Sequence, residues 1–402
     1  MENTYDLIVV GAGALGTFHA YFALQQGLKV LLLEKDARPT EATVRNFGQI
    51  VPSGMPEGEW FDHARLTLDT YKTIQAECDI SIRPTGAVYL ASSPLEMQVL
   101  EEKHARYQAV GYASQVLTAG QCRQRLPAVR ADYCAGGLLF EQEVTAEPDQ
   151  LIHRLLAYLV ERWHLDYRPA TAVREVTANA AGCEVVDACG QRYTAAQVVV
   201  CSGRDFKLLF PEIFAQSDLQ LCKLQMLATY PLPQVQLPGS ILTGLSIRRY
   251  PAFHACPSYS QLRPEDVDPE LRRWGIHLLF KQAVNGSIII GDTHEYADPV
   301  AADELDFNNS NELNQLMLCE ARRILDLPDW RMQRTWNGYY AQCKSGEIYQ
   351  HSPDPRIHIV TGIGGKGMTT ACGFAHHHIM QLGLRRSTPS FLGQGSRPAG
   401  TT

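Results

Sequence analysis

The chain contains no run of about 18 apolar residues, so no stretch has the length of a membrane-crossing helix. Basic charge is not in excess. A net charge of −7 over 402 residues argues against a nucleic-acid partner, because a binder of the phosphate backbone needs a cationic patch. No His-Glu-x-x-His motif occurs, and the 11 cysteines include no Cys-x-x-Cys pair, so no metal-ligand spacing is found. Scattered cysteines fit a reducing compartment. No leader pattern precedes the first apolar run. The expectation is a cytoplasmic protein with no membrane, nucleic-acid or metal partner. His376-His377-His378, a local histidine run, reads as a helix surface or terminus rather than a metal site. The rest of the composition, 45% apolar and 20% charged, is that of a globular chain long enough for two domains.

What is present begins at Leu7-Ile8-Val9-Val10, a short β-branched strand. Gly11-Ala12-Gly13-Ala14-Leu15-Gly16 follows at once, then a helical pattern to Gln26 closed by Gly27. Leu28–Leu33 is the next strand, with Glu34 and Lys35 at its end. Gly11 takes the tight turn, Gly13 lets a pyrophosphate approach the backbone, and Gly16 lets the helix pack on the sheet. The helix start offers free N–H groups and the positive end of a dipole. Glu34 stands 23 residues beyond Gly11, close to the spacing of about 20 at which an acid meets ribose hydroxyls. Alone, this unit suits NAD or FAD equally.

Further on, residues 60–78 read as an amphipathic helix with Phe61, Ala64, Leu68, Tyr71 and Ile74 at helical spacing. Helices are also expected at Pro94–Val110, Gln150–Trp163 and Asn308–Leu325. Gln197–Val200 is a strand buried on both faces, ending in Cys201-Ser202-Gly203. From Leu219 to Asp292 the pattern turns β-rich, which predicts a separate antiparallel sheet. Ile357–Thr361 followed by Gly362-Ile363-Gly364-Gly365-Lys366-Gly367-Met368-Thr369 is a second strand, glycine turn and helix start. Ser387–Thr402 reads as a disordered tail.

Taken in order, these pieces resemble the FAD-dependent D-amino-acid oxidase superfamily, which includes glycine and sarcosine oxidases. Gly11–Gly16 with Glu34 resembles its N-terminal fingerprint, and Arg45-Asn46-Phe47-Gly48 its flavin loop. Val173 sits where the family places a valine beside adenine. Val199–Gly203 resembles the second FAD strand. Trp336–Gly338 and Gly362–Thr369 resemble the C-terminal motif whose helix start faces the flavin. The resemblance implies an α/β fold with a Rossmann-like FAD-binding domain of glutathione-reductase type. Its segments are 1–80, 145–215 and 330–386. An inserted α+β substrate domain, 81–144 and 216–329, contains the antiparallel sheet. It further implies non-covalent FAD, since Cys343 does not have the spacing of a flavin-linked cysteine. The activity implied is oxidation of a C–N bond in a small amine by hydride transfer, with oxygen as acceptor and peroxide as product.

One departure bears on the substrate. Where amino-acid oxidases of this family place an arginine that clamps the substrate carboxylate, two residues after the glycine of Trp-x-Gly, this chain has Tyr340. Arg248-Arg249-Tyr250, followed by His254, reads in two ways: as a clamp for a dianionic head group, or as a solvated hairpin with its arginines outward. The stretch resembles a subgroup of these flavoproteins associated with phosphonate catabolism, which implies an aminoalkylphosphonate, N-methylated in one version. Tyr340, His254 and Lys366 are the candidate catalytic residues, and Arg248, Arg249, Tyr250 and Tyr339 the candidate substrate contacts. Trp336 reads as core. Alternatives are a glycine- or sarcosine-type oxidase, a dehydrogenase with another acceptor, and a flavin protein without turnover.

Overall fold

The computed structural model describes residues 4–384. The 387–402 tail, and the last two positions of the 330–386 segment, lie outside the described residues. The strand Thr4–Val10 is buried from Tyr5 onward. Val30–Leu33 and Arg192–Val200 flank it, both parallel to it. Ile357–Thr361 and Asp166–Arg168 extend the parallel sheet on either side. The near-continuous apolar runs in these strands follow from that position, since helices and loops cover both faces.

The helix Ala14–Gln25 packs on Gly367–Leu382, which packs in turn on Glu59–Glu77. Phe61, Ala64, Leu68, Tyr71 and Ile74 are all buried on the last of these, as their spacing predicts. A second, mostly antiparallel sheet is built around Leu219–Thr229, which pairs with Met332–Cys343 on one side and with Ile288–Gly291 and Glu295–Ala297 on the other. Leu279–Gln282, Ser240–Leu242, Ala87–Ala91, Gly136–Phe140 and Gln115–Thr118 continue it. Met332–Cys343 therefore belongs to the second sheet, although its place in the 330–386 segment groups it with the first.

Two local expectations differ from the structure. Residues 244–253 form no hairpin. They are a helix, Gly244–Arg249, then a short 3-10 turn, Pro251–Phe253. The cause is local: Thr243 and Ser246 form a reciprocal capping box, which satisfies free amides and nucleates a helix. The histidine run is not simply surface. His377 is exposed but His378 is buried, and its Nδ1 lies 2.9 Å from His19 Nε2. His19 also bonds the Leu15 carbonyl at 2.8 Å.

Burial lowers the His19 pKa to about 4 and the His378 pKa to about 3. Both rings are neutral in the fold, whereas an unfolded histidine takes up a proton near pH 6.5. The pair's contribution to stability is therefore intact above that pH. It declines as the pH falls towards 4, by about 1.4 kcal/mol per pH unit for each ring kept neutral. Urea titrations at about pH 7 and pH 5 should show this decline, and His378→Gln, with one ring fewer to charge, should show a shallower one.

Candidate active site

The parallel strands end together, and a cavity of about 1130 Å³ opens at their carboxyl ends. That is where open α/β sheets bind ligands. Gly11 has φ +99°, and a Cβ there would lie 2.3 Å from the Cys201 carbonyl oxygen. At Gly16 a Cβ would lie 1.9 Å from the Gly11 carbonyl oxygen. Both positions are closed to any side chain. Glu34 Oε2 accepts the Ala12 amide at 2.8 Å and Oε1 the Asp36 amide at 3.0 Å. The carboxylate is thereby held at the cavity wall with lone pairs to spare for hydroxyls.

Gly11, Gly13, Ala14, Leu15, Gly16, Glu34 and Lys35 line the cavity, and Ala12 lies just behind. Lys35 Nζ donates to Asp36 at 2.6 Å. Arg45 and Asn46 also line it, but their polar groups build the loop. Arg45 Nε donates to the Thr40 carbonyl and Nη1 to the Asn337 carbonyl. Asn46 spans Ala42, Thr43 and the Gly48 amide. Gly48 stands outside the lining, where its carbonyl accepts the Ala146 amide at 2.7 Å. Trp336 Nε1 donates to the Arg45 carbonyl at 3.1 Å, so this residue joins the loop to the second sheet. Val173, Cys201, Ser202, Gly203, Gly338, Gly364, Gly365, Lys366, Gly367, Met368 and Thr369 complete the predicted set along the wall. Lys366 is paired with Glu347 at 2.6 Å and lies over the Trp60 ring, so its charge already has a partner.

Two residues passed over in the sequence sit on the same wall. Thr43 Oγ1 accepts the Ala14 amide at 3.0 Å. Arg204 forms a two-point pair with Glu41 and lies over the Tyr339 ring. Neither belongs to a motif with a readable spacing.

At the far end the predicted residues divide. Arg249, Tyr250, Tyr339 and Tyr340 line the cavity. Arg248 does not: it turns to Glu96 at 2.7 Å and to Asp266 at 3.7 Å. His254 is exposed and packs on Tyr259 outside the cavity. The reason is the helix, which sends adjacent side chains to different directions. Arg248 as a substrate contact and His254 as a catalytic residue are thus corrected. Tyr339 OH is committed to the Asp306 carbonyl at 2.5 Å. Arg249 donates to the Gly275 carbonyl and Tyr296 OH and, among the described residues, has no carboxylate within ion-pair distance. Burial holds the Tyr340 hydroxyl well above its usual pKa, so it is neutral.

His277, Asp292 and His294 complete this end, all buried and all facing the cavity. His277 Nδ1 lies 3.2 Å from Asp292 Oδ1. Burial, followed by the Arg249 charge, lowers the pKa of both imidazoles. Burial also raises that of Asp292 to about 7. Sequence reasoning missed the set. The signal was Asp292-Thr293-His294, whose two-residue step puts both polar side chains on one face of an extended chain.

The wall suits a dinucleotide. Ser202 Oγ and Gln49 Nε2 are buried there without a hydrogen-bond partner among the described residues, and the amides at the start of the Gly367–Leu382 helix face the same space. Gly11→Ala should lower FAD retention by roughly tenfold or more, given strain of about 1–3 kcal/mol at a positive φ plus the overlap with Cys201. The ratio of flavin to protein absorbance after purification checks this.

The profile described as DAO, FAD dependent oxidoreductase, matches residues 6–379. One of the subunits of the opine oxidase of Rhizobium meliloti is 22% identical over 363 residues, 86% of this chain and 85% of that protein. Glycine oxidase from Geobacillus kaustophilus superposes with a TM-score of 0.74 at 16% identity, covering 96% of each chain. L-alpha-glycerophosphate oxidase from Mycoplasma pneumoniae, with FAD bound, also gives 0.74 at 16% identity, covering 99% of this chain and 100% of its own. No helix among the described residues is long and apolar enough to cross a membrane. The glycine cradle, the held acid and the match across nearly the whole chain agree: this protein belongs to the DAO family of FAD-dependent oxidoreductases.

Proposed function

We propose that this oxidoreductase oxidises the C–N bond of a small amine bearing an anionic head group, in its most specific form a secondary aminoalkylphosphonate. The observation that carries the reading is Arg249, a guanidinium facing the cavity with no carboxylate partner among the described residues. An exposed guanidinium on the cavity wall without a carboxylate counter-ion attracts an anionic ligand, and a planar fork suits a phosphonate or carboxylate. Tyr340, neutral and lining the same cavity, supplies no second cation for an α-carboxylate.

Bound FAD supplies the two-electron acceptor for the α-hydride, with dioxygen as the proposed final acceptor and hydrogen peroxide as product. The chain's residues supply position. Arg249 anchors the head group, while Tyr250 and Tyr340 wall the carbon chain. The amides of Gly364–Met368 and the N-terminus of the last helix stabilise negative charge at the ring end of the cavity. Loss of the hydride and the amine proton gives an imine, and water converts it to a carbonyl compound and the released amine. Names among the similar proteins span opine, glycine and glycerophosphate. Two of these are nitrogen compounds and one is a phosphate ester, which supports both halves of the reading.

Anaerobic mixing with N-methyl aminoalkylphosphonates, beside glycine and sarcosine, is the direct test. Bleaching of the flavin by the phosphonates is expected, and bleaching by glycine alone overturns the reading. Because the reacting amine must be neutral, the rate should climb with pH through the bound amine's pKa. Arg249→Met should raise KM by roughly 100-fold, the loss of an anchoring pair worth about 3 kcal/mol. Arg248→Met, which alters contacts to Glu96, Asp266 and the Arg263 carbonyl outside the cavity, should leave KM unchanged.

A further inference from the structure

His277, Asp292 and His294 each offer one ligand atom, and these atoms lie within 4.8 Å of one another. Their backbone holds them there. The amide of His277 donates to the Asp292 carbonyl at 3.3 Å, and the amide of Asp292 to the His277 carbonyl at 3.2 Å. The two residues therefore stand opposite each other, and His294 lies one two-residue step further along. His294 Nδ1 sits 3.0 Å from the Gly275 carbonyl. That bond places the ring proton on Nδ1 and leaves Nε2 as an electron-pair donor, the outer bond that metal-ligating histidines usually make.

Two atoms of the set lack the bonds expected of buried polar groups. His277 Nδ1 and Asp292 Oδ1 have no hydrogen-bond partner among the described residues, although they lie 3.2 Å apart. Among the described residues, no lysine or arginine comes within ion-pair distance of Asp292. A buried carboxylate with no cation paired to it is costly to keep charged. Two imidazoles and a carboxylate gathered within 4.8 Å supply the donor types of a three-residue metal site with open positions.

We propose that His277, Asp292 and His294 bind a divalent transition-metal ion, zinc-like in ligand preference, at the substrate end of the cavity, where the ion and Arg249 together receive a substrate oxyanion. The Arg249 charge opposes a cation nearby, and the Asp292 carboxylate offsets one unit of it. The loaded site with Arg249 then carries two net positive charges, which a dianionic head group neutralises. This matches a phosphonate better than a carboxylate. Metal binding stands independently of the reaction, and only the oxyanion role rests on the amine-oxidation reading.

The test uses the FAD-loaded protein, stripped with chelator, given one equivalent of Zn2+, desalted and analysed for metal. About one zinc per chain is expected. Asp292→Asn and His294→Gln, accepted only if they retain FAD, should lower zinc affinity by roughly tenfold or more. His377→Gln removes an exposed histidine beside Glu59 and should change nothing. Zinc absent from the wild type overturns the site, as does zinc kept equally by the Asp292 and His294 variants or lost with His377. If either variant loses FAD, a zinc-dependent rise in wild-type melting temperature decides instead, and no rise overturns the proposal. A second arm adds methylphosphonate, which should tighten zinc binding by roughly tenfold. An unchanged affinity removes the oxyanion role and leaves the metal. Since no arm measures turnover, failure of the amine reading and failure of the metal site are separable.

Discussion

The close approach of Gly11 to the Cys201 carbonyl is the constraint on which the rest of the structure depends. Two parallel strands, Thr4–Val10 and Arg192–Val200, must end at the same level for the contact to exist. Their register brings Glu34, at the end of the third strand, within reach of the Ala12 amide. With the backbone turning so tightly, the first helix must start against the sheet, and Gly16 permits it. The amides of that turn are thereby left facing open space.

The far side is made by the second sheet, and few bonds tie the two ends together. Arg45 links its loop to Asn337, and Trp336 returns the link through the Arg45 carbonyl. Arg204 pairs with Glu41 and covers Tyr339. The long pairing of Leu219–Thr229 with Met332–Cys343 sets the register that faces Tyr340 towards the cavity beside Cys222. A dinucleotide spanning the cavity would therefore rest on one sheet and meet its substrate against the other.

The first end was legible in the sequence because its signals are local. A β-branched run, three glycines and an acid at fixed spacing lie within about 30 residues, the size of one βαβ unit. The apolar stripe of Glu59–Glu77 was legible for the same reason. The substrate end was not. Arg248 and Arg249 look equivalent in a string, and only the capping box at Thr243 decides that one turns to Glu96 and the other to the cavity. His277 meets Asp292 through a strand pairing that no local pattern announces. His378 looked like surface until the first helix brought His19 against it.

Substrate choice in this fold must then be decided by very few side chains. The same architecture carries a glycine oxidase and a glycerophosphate oxidase, each 16% identical to this chain, so the fold alone does not name a substrate. On the proposed reading, selection falls to the charges at the far end. Arg249, with no carboxylate paired to it among the described residues, attracts an anion. Asp292, buried a short distance away, repels one unless its charge is met. The two form no ion pair, yet each feels the other's charge, Arg249 holding the Asp292 pKa down against burial, and both stay open to an outside partner: an anion for the guanidinium and a cation for the carboxylate. A site holding unpaired charges of both signs fits a ligand that brings both, either an amine with an anionic head or an oxyanion together with a metal ion. Replacing either residue alone leaves the other uncompensated, so the two should behave as a coupled unit rather than as additive contacts.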